Sequence, residues 1–273
     1  MRARFFFSRL TVGLIGLLIA TLSIAAERQD ARLMTATQVV DELARIPDQN
    51  IPSWLLERSY AVAVVPDVIK VGLGIGGRRG KGVLVVRKDN GQWSNPIFVN
   101  LTGGSFGFQV GVQSTDVVLV FTSQKSIEGI VGGKVTLGAD ASVAAGPVGR
   151  ASSAATDIGL TAQVYSYSRA SGLFAGVALD GSAITIDHRS NEQFYGRSGV
   201  LASEIIRTDA ATAPATAQNF VGALQRSTGG TAAAARPTST PPAQPATPTP
   251  PAANPGLTTY PMEDPTPGQE PPQ

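Results

Sequence analysis

Fourteen of the nineteen prolines in this chain lie at or beyond Pro214, and that clustering sets how much of it can fold. They come in runs such as Pro241-Pro242 and Pro248-Thr249-Pro250-Pro251, with alanine and threonine between them. Such a stretch buries too little apolar surface to offset the entropy lost on ordering. Residues 208–273 are therefore expected to form a disordered Pro/Ala/Thr-rich tail that samples polyproline II, rising about 3.1 Å per residue where extended. Two readings fit that composition: a spacer, and a ligand for a proline-binding protein or the cell wall.

The opposite end carries the three parts of a secretory signal. Arg2, Arg4 and Arg9 form a positive segment, Leu10 to Leu22 an apolar one, and Ser23-Ile24-Ala25 or Ile24-Ala25-Ala26 a small-residue cleavage site. An uncleaved anchor would need about 20 apolar residues. Residues 1–26 thus read as a signal peptide, and the expected location is outside the cytoplasm: periplasmic, envelope-associated or secreted. Removing Arg2, Arg4 and Arg9 leaves 19 cationic side chains against 20 acidic ones, a formal charge of −1 instead of +2. The basic character of the full chain is then no argument for a nucleic-acid partner.

Between these ends lie residues 28–207, about 180 positions, enough for one well-packed domain. With no cysteine in the chain, disulfides, thiolate metal sites and a cysteine nucleophile are excluded. Thr35 and Gln38 have capping-box spacing, and Val39, Val40, Leu43 and Ile46 follow on one helical face until Pro47. The other face carries Asp41, Glu42, Arg45 and Asp48 and reads as acidic. A second short helix is expected from Pro52, with Trp54, Leu55 and Leu56. From Tyr60 the period changes to two. Ala61 to Val65 reads as a buried strand, and Val83 to Lys88 and Ile97 to Leu101 flank an Asn90-Gly91 hairpin turn. Phe106, Phe108, Val110 and Val112 alternate with small or polar residues and are expected to face a core. Further strands are expected over Val117 to Phe121, Leu160 to Tyr167, Leu173 to Leu179 and Ala183 to Asp187. Short helices are expected over Ser123 to Ile130, with Ser123 as cap, and Gly199 to Arg207. The stretch Gly138 to Thr156 receives no element. The fold class is α+β: a mainly antiparallel β-sheet or barrel-like core with short flanking helices.

The chemistry open to these residues is narrow. His188 is the only histidine, so a Ser-His-Asp arrangement would have to use it. Its neighbour Asp187 would point to the opposite face of an extended strand. No His- or Cys-based metal motif is present in the sequence. No catalytic residue, metal ligand or cofactor is assigned, and the chain reads as a non-enzyme. Gly72, Gly74 and Gly77 spell Gly-x-Gly-x-x-Gly, but a β-branched run follows where a dinucleotide site requires a helix. The same segment places Lys70, Arg78, Arg79, Lys81, Arg87 and Lys88 between Asp67 and Asp89 with no acid among them. Glycines would let backbone N–H groups approach an anion, and arginine forks bind phosphate oxygens. Two readings fit: a phosphate or lipid-headgroup site, and a solvated basic loop.

An ordered series of motifs runs through this domain. It comprises Ala61-Val62-Ala63-Val64-Val65-Pro66, Gly80-Lys81-Gly82-Val83, Trp93-Ser94-Asn95-Pro96 and Asp116-Val117-Val118-Leu119-Val120. Ala145-Gly146-Pro147-Val148-Gly149-Arg150, Tyr165-Ser166-Tyr167-Ser168-Arg169 and Gly172-Leu173-Phe174-Ala175-Gly176-Val177 follow, with Gly181, Asn191 and Tyr195 near the end. The series resembles the SYLF domain family, named for lipid-binding proteins that include a yeast actin-binding Src-homology-3 protein. The resemblance covers about Leu33 to Arg207 and implies a non-enzymatic lipid-binding module, here an exported, bacterial-type member. It places Lys81 and Arg169 in matching segments. With the basic cluster, the expected headgroup-binding set is Lys70, Arg78, Arg79, Lys81 and Arg169. The expected partner is an anionic phospholipid or membrane surface of the cell envelope. The alternative is an envelope scaffold that uses its tail as a tether.

Overall fold

The computed structural model describes residues 27–43, 51–148, 162–170, 173–208 and 212–228. The signal segment, the Ile46-Pro47 helix stop, Leu160 and the chain beyond Thr228 lie outside the described residues. A helix over 27–43 (α1) and α2 (Ser53–Glu57) precede two long strands, β1 (Ala61–Val86) and β2 (Ile97–Phe121). Then come α3 (Gln124–Val131), β3 (Lys134–Thr136), β4 (Val143–Ala145), β5 (Val164–Ala170), β6 (Leu173–Gly176) and β7 (Ser182–Ile186). Three helices close the described chain: α4 (His188–Tyr195), α5 (Ala202–Arg207) and α6 (Ala215–Ser227).

β1 and β2 pair antiparallel from Ala61↔Phe121 to Leu84↔Ile97, around the expected turn, where Gly91 has φ +80°. β2 also pairs with β5 over Asp116 to Phe121 and with β7 over Val99 to Gly103. β3 extends the sheet beyond β7, while β4 and β6 flank β5. The β4–β5 pair is parallel, so the curled sheet is mixed, within the expected α+β class. β4 lies in the glycine- and alanine-rich stretch to which the sequence assigned no element.

Alternation along the strands sends side chains to two cores. Val62, Val64, Val83, Val85, Phe98, Val118 and Val120 pack with α1, α2 and α6. Ala61, Ala63, Val65, Leu84, Ile97, Val99, Leu119 and Phe121 pack with Ile127 and Ile130 of α3 and Ile205 of α5. Burial on both faces explains why these strands read as unbroken apolar runs.

The doubling back of β1 brings the strand's two ends together. Arg87 donates its backbone N–H to the Tyr60 carbonyl at 2.7 Å. A Cβ at Gly82 would sit 2.3 Å from the Val64 oxygen and 2.7 Å from the Val65 Cα, so glycine is required where the two arms touch. Gly146 is required for a different reason: a Cβ there would lie 2.0 Å from the Tyr167 ring. The Tyr167 hydroxyl donates to the Pro147 carbonyl at 3.0 Å, and burial, with Tyr165 adding, pushes its pKa up. Two of the motifs that carry the family resemblance are thus packed against each other.

Several sequence expectations are corrected. Thr35 is no cap. It lies inside α1, with its hydroxyl donating to the Ala31 carbonyl at 3.0 Å. The apolar period begins earlier, at Leu33 and Ala36, and carries the helix back to residue 27. The acidic face of α1 is partly neutralised, because Asp41 pairs with Arg226 and Glu42 with Arg169. Ser123 stands at the start of α3, but its side chain makes no capping bond. Val112 is 72% exposed, so the alternating run of β2 does not keep one face in the core throughout. His188 opens α4 rather than closing a strand, and Asp187 caps that helix by accepting from the Ser190 N–H at 3.1 Å. The domain also does not end at Arg207: Ala217, Phe220, Val221, Ala223 and Leu224 of α6 are buried against α1 and the sheet.

Candidate functional site

The Gly72 to Gly82 segment is a strand and not a loop, and this changes what its charges can do. Gly77, Gly80 and Gly82 pair with Gly104, Leu101 and Val99 in the ladder, so the expected backbone amide nest for an anion is replaced by sheet pairing. The side chains remain available. Between α1 and the doubled-back β1 lies a groove of about 800 Å³. Arg78, Arg79 and Lys81 line it from one arm of β1 and Asp67, Ile69 and Val71 from the other, while α1 contributes Arg32.

Each charge in this groove has a distinct environment. Arg32 lies over the Phe98 ring, 5.4 Å from its centroid, and 3.8 Å from the Asp187 carboxylate. Burial pulls its pKa down, with Asp187 opposing, yet a guanidinium stays charged in proteins. Lys81 is half exposed and 3.5 Å from the same carboxylate. Burial alone would raise the Asp187 pKa. Two hydrogen bonds from Ser190 and the charges of Lys81 and Arg32 outweigh it and hold the carboxyl below its ordinary value. Arg78 is partly buried, which lowers its pKa, and Asp180 acts in the opposite direction. Arg79 is exposed. Among the described residues, no ion pair or side-chain hydrogen bond engages Arg79 or the carboxylate of Asp67.

Asp67 stands at a β-bulge between Val65 and Val68, with φ +49°. Its backbone N–H donates to the Asp116 carboxylate at 3.0 Å. Ile69 and Val71, which follow at strand spacing, are 49% and 47% exposed, so the groove has an apolar wall beside its charges.

The structure therefore brings together three of the five expected site residues. Lys70 alternates with Ile69 and Val71 and projects from the other face of the ribbon. Arg169 is held away from the groove by Glu42 at 2.8 Å and Asp116 at 3.0 Å, joining α1 to β2 and β5. Arg87, of the original cluster, stacks 4.2 Å from the Trp93 ring and donates to the Ser59, Leu56 and Gly91 carbonyls. Arg32, Asp67 and Asp187 were missed. Pro66-Asp67 inside an apolar strand was a readable bulge signal. Nothing local marked Arg32 or Asp187, whose roles depend on their meeting in space. Among the described residues, no three His, Cys, Asp or Glu side chains gather as a metal site. No described helix is long and apolar enough to cross a membrane.

The fold and groove define an α+β domain on a curled mixed sheet that presents cations beside an exposed apolar wall. Residues 102–227 match the family model Ysc84, described as Las17-binding protein actin regulator. It is 40% identical over 152 residues to Protein YSC84 of Saccharomyces cerevisiae, covering 55% of this chain and 32% of that one. It is 37% identical over 177 residues to LAS seventeen-binding protein 3 of the same yeast, covering 64% and 38%. It is 34% identical over 161 residues to SH3 domain-containing YSC84-like protein 1 of Xenopus laevis, covering 59% and 48%. The chain thus spans between a third and a half of the length of these relatives.

Proposed function

We propose that this domain is a non-enzymatic phospholipid-binding module, exported to the cell envelope, that takes lipid headgroups in the groove between α1 and β1. One observation carries this reading: Arg32, Arg78, Arg79 and Lys81 converge on a groove walled by exposed Ile69 and Val71. Guanidinium forks suit phosphate oxygens, and exposed aliphatic side chains suit the start of an acyl chain. Flotation of the chain lacking residues 1–26 with phosphatidylglycerol-containing vesicles tests it. Binding that weakens as salt is raised is expected, since part of the attraction is between exposed charges. No binding to anionic or neutral vesicles would overturn it.

A second reading is favoured by the family description, which names a Las17-binding actin regulator, and by the relative named as a LAS seventeen-binding protein. On that reading the domain is a scaffold for a protein or cell-wall partner, with the tail as tether. A partner captured by the full chain, together with failure to float, would select it.

A further inference from the structure

We propose that the groove selects phospholipids whose headgroup carries a primary amine as well as a phosphate, with Asp67 receiving the ammonium and the Arg79 side of the groove the phosphate. The inference rests on reading the groove as a phospholipid site and names the headgroup class.

Four cations line the groove, but two of them, Arg32 and Lys81, share Asp187, and Arg78 experiences the field of Asp180. What remains is a dipolar pair, the exposed guanidinium of Arg79 and the carboxylate of Asp67, neither engaged by another side chain among the described residues. A site built only for an anion has no use for a carboxylate in its lining, because like charge repels the ligand. A zwitterionic headgroup uses both. Its phosphate accepts from Arg79, and from Lys81 where the Lys81 donors are not directed at Asp187. Its ammonium offers three donors to a carboxylate that has acceptor capacity.

Backbone geometry supports the placement. Asp67 adopts a positive φ of 49°, uncommon outside glycine, and the Asp116 carboxylate holds its N–H at 3.0 Å. The bulge puts Asp67 in line with Ile69 and Val71 on the groove wall. The two arms of β1 touch beside it: a Cβ on Gly80 would lie 2.7 Å from the Val68 side chain and 3.4 Å from its Cα. Asp67 and the Arg79 to Lys81 segment therefore face the same groove from neighbouring arms. The apolar wall begins two residues from the carboxylate, which puts acyl chain and amine on the same arm.

The test compares wild type with Asp67→Asn on phosphatidylcholine vesicles doped with equal fractions of phosphatidylethanolamine or phosphatidylglycerol. Asparagine tolerates positive φ, so the bulge is retained, and an unchanged urea midpoint verifies the fold. Wild type is expected to bind the ethanolamine vesicles more tightly than phosphatidylcholine alone, whose quaternary amine donates no hydrogen bond. Soluble O-phosphoethanolamine should compete better than inorganic phosphate. Asp67→Asn is expected to lose about tenfold on ethanolamine vesicles, the cost of one charge-assisted hydrogen bond, while binding to phosphatidylglycerol holds or rises. If the substitution raises binding to both lipids alike, Asp67 merely repels phosphate and the amine inference is overturned while the groove stands. If wild type floats with no vesicle, the lipid reading itself fails, and the amine inference with it.

Discussion

Phe220→Ala is expected to destabilise the domain by about 3–5 kcal/mol, read as a lower urea midpoint at unchanged slope. The ring is fully buried in α6, in the same cluster as Leu33, Ala36, Val39 and Val40 of α1. Truncation removes its transfer energy and leaves a cavity between two helices that also cover the sheet. Because α1 forms one wall of the groove, loosening the α1–α6 contact should also weaken vesicle binding. Arg226 to Asp41, an exposed pair at 3.2 Å, also joins the two helices but contributes little, since water screens it. A chain cut after Arg207 should accordingly lose cooperative unfolding, while one cut after Ser227 should keep it. A Phe220→Ala variant as stable as wild type would show that α6 is not part of the core.

Asp187→Ala should be the most damaging single change near the groove, at about 2–4 kcal/mol. It removes the cap of α4, leaves the Ser190 N–H and hydroxyl without their acceptor, and strips a countercharge from the part-buried Arg32. Lys81 is half exposed, so water screens its share of the loss. The carboxyl is depressed in the folded state, so its contribution to stability is complete above the ordinary value of 3.8 and is lost as pH falls through the lower folded value. Asp187→Asn should therefore flatten the acid limb of the stability profile. An acid limb identical to that of wild type would contradict the role given to this carboxylate.

How much of this was legible beforehand follows from what each residue needs around it. The α+β class, the turn at Asn90-Gly91, and helices α2, α3 and α5 rest on local pattern and could be read directly. α6 was overlooked although Phe220, Val221 and Leu224 have helical spacing, because alanine, threonine and proline around them resemble the tail. The glycines of β1 hid a strand for a physical reason: without side chains they show no period, yet they are what lets the arms of β1 touch. The basic cluster was visible as composition but not as a site. Only the folded chain separates Arg87, stacked on Trp93, and Arg169, held by Glu42 and Asp116, from the cations that line the groove. Arg32 and Asp187 carry no local signal, since α1 and the end of β7 become neighbours only through the sheet.

The proposed headgroup site is the groove between α1 and β1. It is tested most directly by floating the Arg79→Glu/Lys81→Gln variant beside wild type on phosphatidylglycerol-containing vesicles. Both side chains are exposed, so the fold should survive, as a matched urea midpoint would verify. At least a tenfold loss of vesicle binding is expected, with Lys70→Gln, on the opposite face of the ribbon, retaining most of it. Wild-type binding by the double variant would contradict it.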